Sequence, residues 1–282
     1  MSAAPVTTQF AAPDGGGDSG SGTRHAVVLS PAMAVWDEGA FFAPVTELLL
    51  AAGYRVTVCD TLSLLAGESA GASLARIGQE PGAVLRGLAD RWAAVVAGLG
   101  PVDLIGGAAL GGATALALLS RPELRARPAL LLSAPCRADG LLDARLGEIA
   151  ALAADGRLGA AYGLLERYVT PEGASAGPAV PAVRDGAVPS AGAERIAQGL
   201  GLLRGLDLTK YAHELTGRQL HLYGESSQLV GLRHAVPGRH PQISAVAVPG
   251  AGMRPQYDSP EFVARAVREF LAALEGLEGV AP

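Results

Sequence analysis

Six short, mostly apolar runs recur along this chain, at 26–29, 55–58, 102–105, 129–132, 219–223 and 243–248, and helical patterns fill most of the gaps between them. A strand that is apolar on both faces belongs inside a parallel sheet, because parallel crossovers lay helices over each side of it. The helical stretches carry their own punctuation. Residues 41–52 keep helical spacing and stop at Gly53. Pro81 opens a helix in which Val84, Leu85, Leu88, Trp92, Val95, Val96 and Leu99 follow the helical period. A last helix begins with Ser259 as its cap and Pro260 as its first residue, with Phe262, Ala266, Phe270 and Leu274 along one face. The expected class is therefore α/β, with a mostly parallel sheet covered by helices on both faces.

The alternation fails between 136 and 208. No strand pattern occurs there; 141–154 and 190–206 read as helices, and 171–189 is loose and rich in proline and glycine. The expectation is a helical cap at 136–208, inserted between a first core segment at 25–135 and a second at 209–282. Residues 14–22, D-G-G-G-D-S-G-S-G, have nothing with which to build a core, so 1–24 are expected to form a flexible N-terminal tail.

Charge and cysteine usage narrow the function classes. A net charge of −5 over 282 residues argues against nucleic acid or an anionic membrane surface as the main partner. The longest uncharged stretch, 104–120, contains four glycines and is too short for the preferred membrane span. Cys59 and Cys136 form no C-x-x-C pair, and the N-terminus lacks a signal-peptide pattern, which together imply a reduced, cytoplasmic protein. The histidines follow no metal-ligand spacing, so no metal or organic cofactor is expected. His234 and His240 are expected on surface loops, His221 within a strand, and His25 and His213 at element ends.

Segment 102–118, V-D-L-I-G-G-A-A-L-G-G-A-T-A-L-A-L, reads as a strand, a glycine-flanked turn and a helix. A turn this sharp needs small neighbours so that backbone and helix can approach closely. Because it follows the third clear strand rather than the first, it does not read as a dinucleotide-binding G-x-G-x-x-G loop. Residues 107–111, G-A-A-L-G, match the nucleophile elbow G-x-S-x-G with Ala109 in place of serine, and on this motif the chain resembles the α/β-hydrolase fold family. The resemblance implies that the family's acid and histidine follow the next two strands. At those places stand Ser227, within G-E-S-S-Q-L-V at 224–230, and Met253, ending P-G-A-G-M at 249–253. All three triad positions, Ala109, Ser227 and Met253, thus lack the side chain that the chemistry requires, and Ser–His–Asp hydrolysis is excluded. Glu225, beside the acid slot, is expected to face solvent. Ser133 and Cys136 follow a strand at its functional end and have no evident base.

What remains is a pocket. The loop after the first strand, S-P-A-M-A-V-W at 30–36, offers the N–H of Ala32 or Met33, paired with Leu110, as surviving oxyanion-hole donors. Met33, Trp36, Leu110 and Met253 are expected to converge with Ala109 beneath the cap, with Tyr162 and Tyr168 facing them from it. Among triad-less chains of this fold, the sequence resembles the aspartate epimerases of bottromycin-type modified-peptide biosynthesis. That resemblance implies inversion of the α-carbon of an aspartate beside a thiazoline in a macrocyclic peptide. No catalytic side chain is then required, because the substrate's own carboxylate serves as base in an apolar site. A non-catalytic protein that binds an apolar small molecule or peptide predicts the same pocket. A cofactor-independent lyase or oxygenase fits less well, since Met253 removes the usual histidine base, and a conventional esterase fits least.

Overall fold

Local apolar content places the strands. In the computed structural model, β1 (Thr7–Phe10), β2 (Arg24–Leu29), β3 (Tyr54–Cys59), β4 (Leu104–Ala108), β5 (Ala129–Leu132), β6 (Gln219–Gly224) and β7 (Ile243–Val248) form one sheet. Its order is β1-β3-β2-β4-β5-β6-β7. The structure describes residues 4–11, 24–65, 75–77, 79–174, 190–235 and 240–278. Every pairing is parallel except that of β1 with β3. The α/β class with a covered, mostly parallel sheet is the one the apolar runs imply.

Two apolar layers flank the sheet. One is centred on helix α2 (Pro81–Gly98) and helix α3 (Leu110–Leu119), where Leu85, Leu88, Trp92 and Leu116 are all buried. The other packs helix α1 (Ala43–Ala51) and the C-terminal helix (Pro260–Glu278) against the opposite face. Every residue of α3 is buried, so it carries no polar stripe; sheet, α2 and cap surround it.

Three expectations need correction. Residues 7–10 belong to no flexible tail: they form the antiparallel edge strand β1, and Asp60 donates its N–H to the Val6 carbonyl at 2.9 Å. An edge strand of four residues gives little periodicity to read. The glycine-rich run 14–22 lies outside the described residues. The C-terminal helix buries Val263, Val267, Leu271 and Leu274, while Phe262, Ala266 and Phe270 flank that stripe half-buried. The helix predicted over 190–206 ends at Gly201.

Between β5 and β6 the chain forms helices α4 (Gly140–Ala154), α5 (Leu158–Val169) and α6 (Ser190–Gly201). Its two stems pair with each other, with Ala138 donating to Leu206 and Leu208 donating to Cys136, both at 2.8 Å. Most of the loose stretch predicted at 171–189 lies outside the described residues. The helices stand over the C-terminal ends of the strands, where open parallel sheets place their ligands.

Candidate active site

The elbow is built from what its glycines leave out. Ala109 sits between β4 and α3 at φ 45° and ψ −113°, a strained conformation for a residue with a Cβ. A Cβ at Gly111 would lie 2.0 Å from the Leu29 carbonyl oxygen, and one at Gly112 would lie 2.2 Å from the Ala134 Cβ. Helix α3 therefore approaches β2 and the loop after β5 more closely than any other residue type allows. Ala109 is fixed further by donating its N–H to the Leu132 carbonyl at 3.0 Å. The apex is a rigid turn that presents a methyl group.

Above it lies a cavity of about 360 Å³. Ala32, Met33, Ala109, Leu110, Tyr162 and Met253 line it, so the structure brings together six of the residues expected there. Two others are elsewhere. Trp36 packs against the opposite apolar layer, the one that holds α1 and the C-terminal helix. Tyr168 turns away on α5, its ring 5.0 and 5.4 Å from the guanidinium carbons of Arg145 and Arg167. Ser227 is not in the lining either; its Oγ accepts from the N–H groups of Val230 and Leu229 at 3.2 and 3.4 Å, capping the turn. Pro135 rather than Ser133 or Cys136 reaches the cavity. Burial pushes the thiols of Cys59 and Cys136 up to about 12, so neither is a thiolate near neutral pH.

The loops after β6 and β7, which hold the Ser227 and Met253 slots, anchor the cap. Met253 donates its N–H to the Val169 carbonyl at the end of α5 at 2.9 Å. Gln228 Nε2 donates to the carbonyls of Arg167 and Thr170 at 2.7 and 3.0 Å. On the other side α6 presses onto the elbow: a Cβ at Gly199 would lie 2.5 Å from the Ala32 Cβ and 3.3 Å from Leu110 Cδ2. Arg195 on α6 donates to Asp60 Oδ1 at 2.6 Å and to the Met33 carbonyl at 3.0 Å, an ion pair whose aspartate side chain is 5% exposed.

Three charged residues that no motif singles out also line the cavity: Asp37, Glu166 and Arg254. Asp37 accepts the N–H groups of Gly39 and Phe41 at 2.9 and 2.7 Å, holding its own loop. Arg254 donates to Glu166 across the boundary between core and cap. The helical period marks Glu166 as sharing a face with Tyr162, four residues earlier, and Arg254 directly follows the Met253 slot. Burial raises the Tyr162 hydroxyl, an effect the nearby Ala34 N–H offsets in part, so it is a neutral phenol near pH 7. The backbone N–H groups of Ala32, Met33 and Leu110 meet no acceptor among the described residues. Such a site can orient a ligand, exclude water and offer backbone donors to developing negative charge. Among its described lining residues there is no serine, threonine, cysteine, histidine or lysine.

His234, expected on a surface loop, is buried at 3% exposure and lies 3.1 Å from Asp139, below the cap stem. Among the described residues no group of three or more His, Cys, Asp or Glu side chains is placed to hold a metal ion, and no helix is long and apolar enough to cross a membrane.

Sheet order, elbow and inserted helices together define an α/β-hydrolase fold. Solved structures of that fold match nearly the whole chain. A thermophilic esterase from Thermogutta terrifontis is 18% identical, covers 95% of this chain and 93% of its own, and superposes with a TM-score of 0.66. A bromoperoxidase from Bacillus anthracis is 14% identical over 94% of each chain, with a TM-score of 0.69. A proline iminopeptidase from Mycobacterium smegmatis is 16% identical over 89% of this chain and 90% of its own, with a TM-score of 0.57. At these identities the likeness concerns the fold. No family model and no curated protein matches the sequence.

Proposed function

We propose that this chain is a non-hydrolytic isomerase on the α/β-hydrolase fold: a peptide epimerase that inverts the α-carbon of an aspartate beside a thiazoline in a macrocyclic modified peptide of the bottromycin type. The supporting observation is the combination at the elbow of a methyl group at the apex, Ala109, with a largely apolar cavity directly above it. A site that has lost its nucleophile, base and orienter but kept its cavity suits a reaction whose substrate brings its own base. The α-proton moves to the aspartate carboxylate while the bonding electrons delocalise into the conjugated C=N. Reprotonation of the planar carbon on the opposite face gives the epimer and regenerates the carboxylate. Apolar walls strengthen that carboxylate as a base by withdrawing water from it. Leu110, Ala32 and Met33 supply backbone donors near the reacting centre, and the cap helices hold the macrocycle in place.

The test is incubation of the full chain with the L-aspartate form of a thiazoline-containing macrocyclic peptide, followed by chromatographic measurement of its epimers. The expected result is protein-dependent approach to a fixed epimer ratio from either starting epimer, with the peptide mass unchanged. Tight binding with epimerisation no faster than in buffer would favour a sequestering or carrier protein for the same ligand.

A further inference from the structure

Of the three charged groups on the cavity wall, only two are available to a ligand. Asp37 has both oxygens occupied by the N–H groups of Gly39 and Phe41. The neighbouring Arg195 is committed to Asp60 and to the Met33 carbonyl. Tyr257, three residues after Arg254, directs its hydroxyl to the Ala40 and Phe41 carbonyls at 2.9 and 3.1 Å. The Arg254 guanidinium meets one acceptor among the described residues, Glu166. Their side chains are 35% and 32% exposed, placing the pair between the apolar interior and solvent. An arginine presents five N–H donors in a planar fork, so most of this one's donors are unspent. What this fork holds is a carboxylate oxygen, Glu166 Oε1, from the group that guanidinium recognises best.

The geometry points to Arg254 as the anchor for a carboxylate on the ligand, with Glu166 as the internal carboxylate that occupies the fork until the ligand arrives. The ligand class is therefore an apolar molecule or peptide segment bearing a carboxylate at the end that faces the cavity mouth. This rests on the reading of the same site only for where the ligand lies: the anchored carboxylate is a second one, distinct from the aspartate carboxylate that serves as base, because a guanidinium partner would lower the basicity of that group; the anchor itself does not depend on turnover. The pair also explains why the anchor can sit on an apolar wall: without ligand, Glu166 satisfies it from the cap side, and no isolated charge is left against the lining. With ligand, two carboxylates compete for one guanidinium, so Glu166 weakens the binding it makes selective.

A simple probe pair isolates the anchor: 4-phenylbutanoate and its primary amide, titrated into the full chain at pH 7 by calorimetry. The acid is expected to bind at least about tenfold more tightly than the amide, the scale of a hydrogen bond to a charged group. In R254Q that preference disappears while the amide's affinity is unchanged, which also shows that the variant is folded. In E166Q the acid binds more tightly and the amide does not. The proposal is overturned if R254Q keeps the preference, if E166Q weakens acid binding, or if the native chain fails to prefer the acid, including by binding neither probe. A retained preference with no epimerisation would count against the proposed reaction and leave the anchor standing. Epimerisation without the preference would count against the anchor alone.

Discussion

Ala109 holds a strained backbone conformation at the apex of the elbow. In a hydrolase the strain of this turn exposes a nucleophile; here φ 45° is maintained for a methyl group. The cradle of Gly111 and Gly112 keeps the turn in place whatever side chain occupies its apex, since both contacts are to backbone or to Ala134. Restoring the hydroxyl is then not enough to restore the chemistry. A109S is expected to fold, with a stability change within about 1 kcal/mol, and to hydrolyse p-nitrophenyl butyrate no faster than buffer. The hydroxyl would have no base, because Met253 stands in the histidine slot and Ser227 is spent on its own turn. Turnover above background would mean that Glu166 or Asp37 serves as a base from the wall.

At the scale of elements, the cap is held from two sides by unlike means. Helix α5 is tied to the loops after β6 and β7 largely through backbone carbonyls, whereas α6 depends on Arg195 reaching the buried Asp60. Removing one partner of a buried pair leaves the other charge uncompensated and costs far more than the pair contributes. R195A is therefore expected to lower stability by about 3 kcal/mol, read as a reduced urea midpoint. By contrast, E275Q, which breaks a pair whose glutamate is 53% exposed, should change it by less than about 1 kcal/mol. Equal effects of the two substitutions would remove Arg195 as the cap's main tie.

The same scale explains what was legible in the sequence. Strands β5 and β7 are legible to the residue because nearly unbroken apolar runs leave no competing period. Strand β4 runs two residues later than its apolar run and includes Gly106 and Gly107, poor strand formers selected by contact with neighbouring backbone, which propensity does not encode. The elbow and the vacated slots are legible because each is a local motif. Trp36, Tyr168 and the charged pair are not, because each depends on how a loop or helix turns after it leaves the sheet. His234 is hidden for the same reason: its neighbours Leu232 and Arg233 look like surface, and its burial comes from Asp139 across the cap stem.

For the whole molecule, buried imidazoles set the response to acid. His221 lies midway along β6, one strand in from the edge strand β7, fully buried, with the carbonyls of Ala134 and Ala235 nearby but neither in full hydrogen-bond geometry. Burial lowers its pKa to about 4, and it lowers those of His25 and His234 in the same direction. The unfolded chain protonates these rings near pH 6.5 while the folded chain resists, so stability is complete above that pH and drains as pH falls toward 4. His221 alone accounts for up to about 3 kcal/mol of that loss. H221L should flatten the decline in urea-unfolding free energy between pH 6.5 and 4.5. A decline as steep as that of the native chain would assign the acid response to other groups.

The molecule as a whole keeps an α/β-hydrolase frame with a cavity above the Ala109 apex, and under the proposed function that cavity serves to move a proton rather than to cleave a bond. The direct measurement is mass spectrometry of the thiazoline macrocycle after incubation with the full chain in heavy water. The expected result is uptake of one deuterium at the aspartate α-carbon, dependent on the protein and accompanied by epimerisation, with no cleavage and no covalent adduct on the chain. Exchange at the rate of the protein-free control, or release of a hydrolysed peptide, would contradict it.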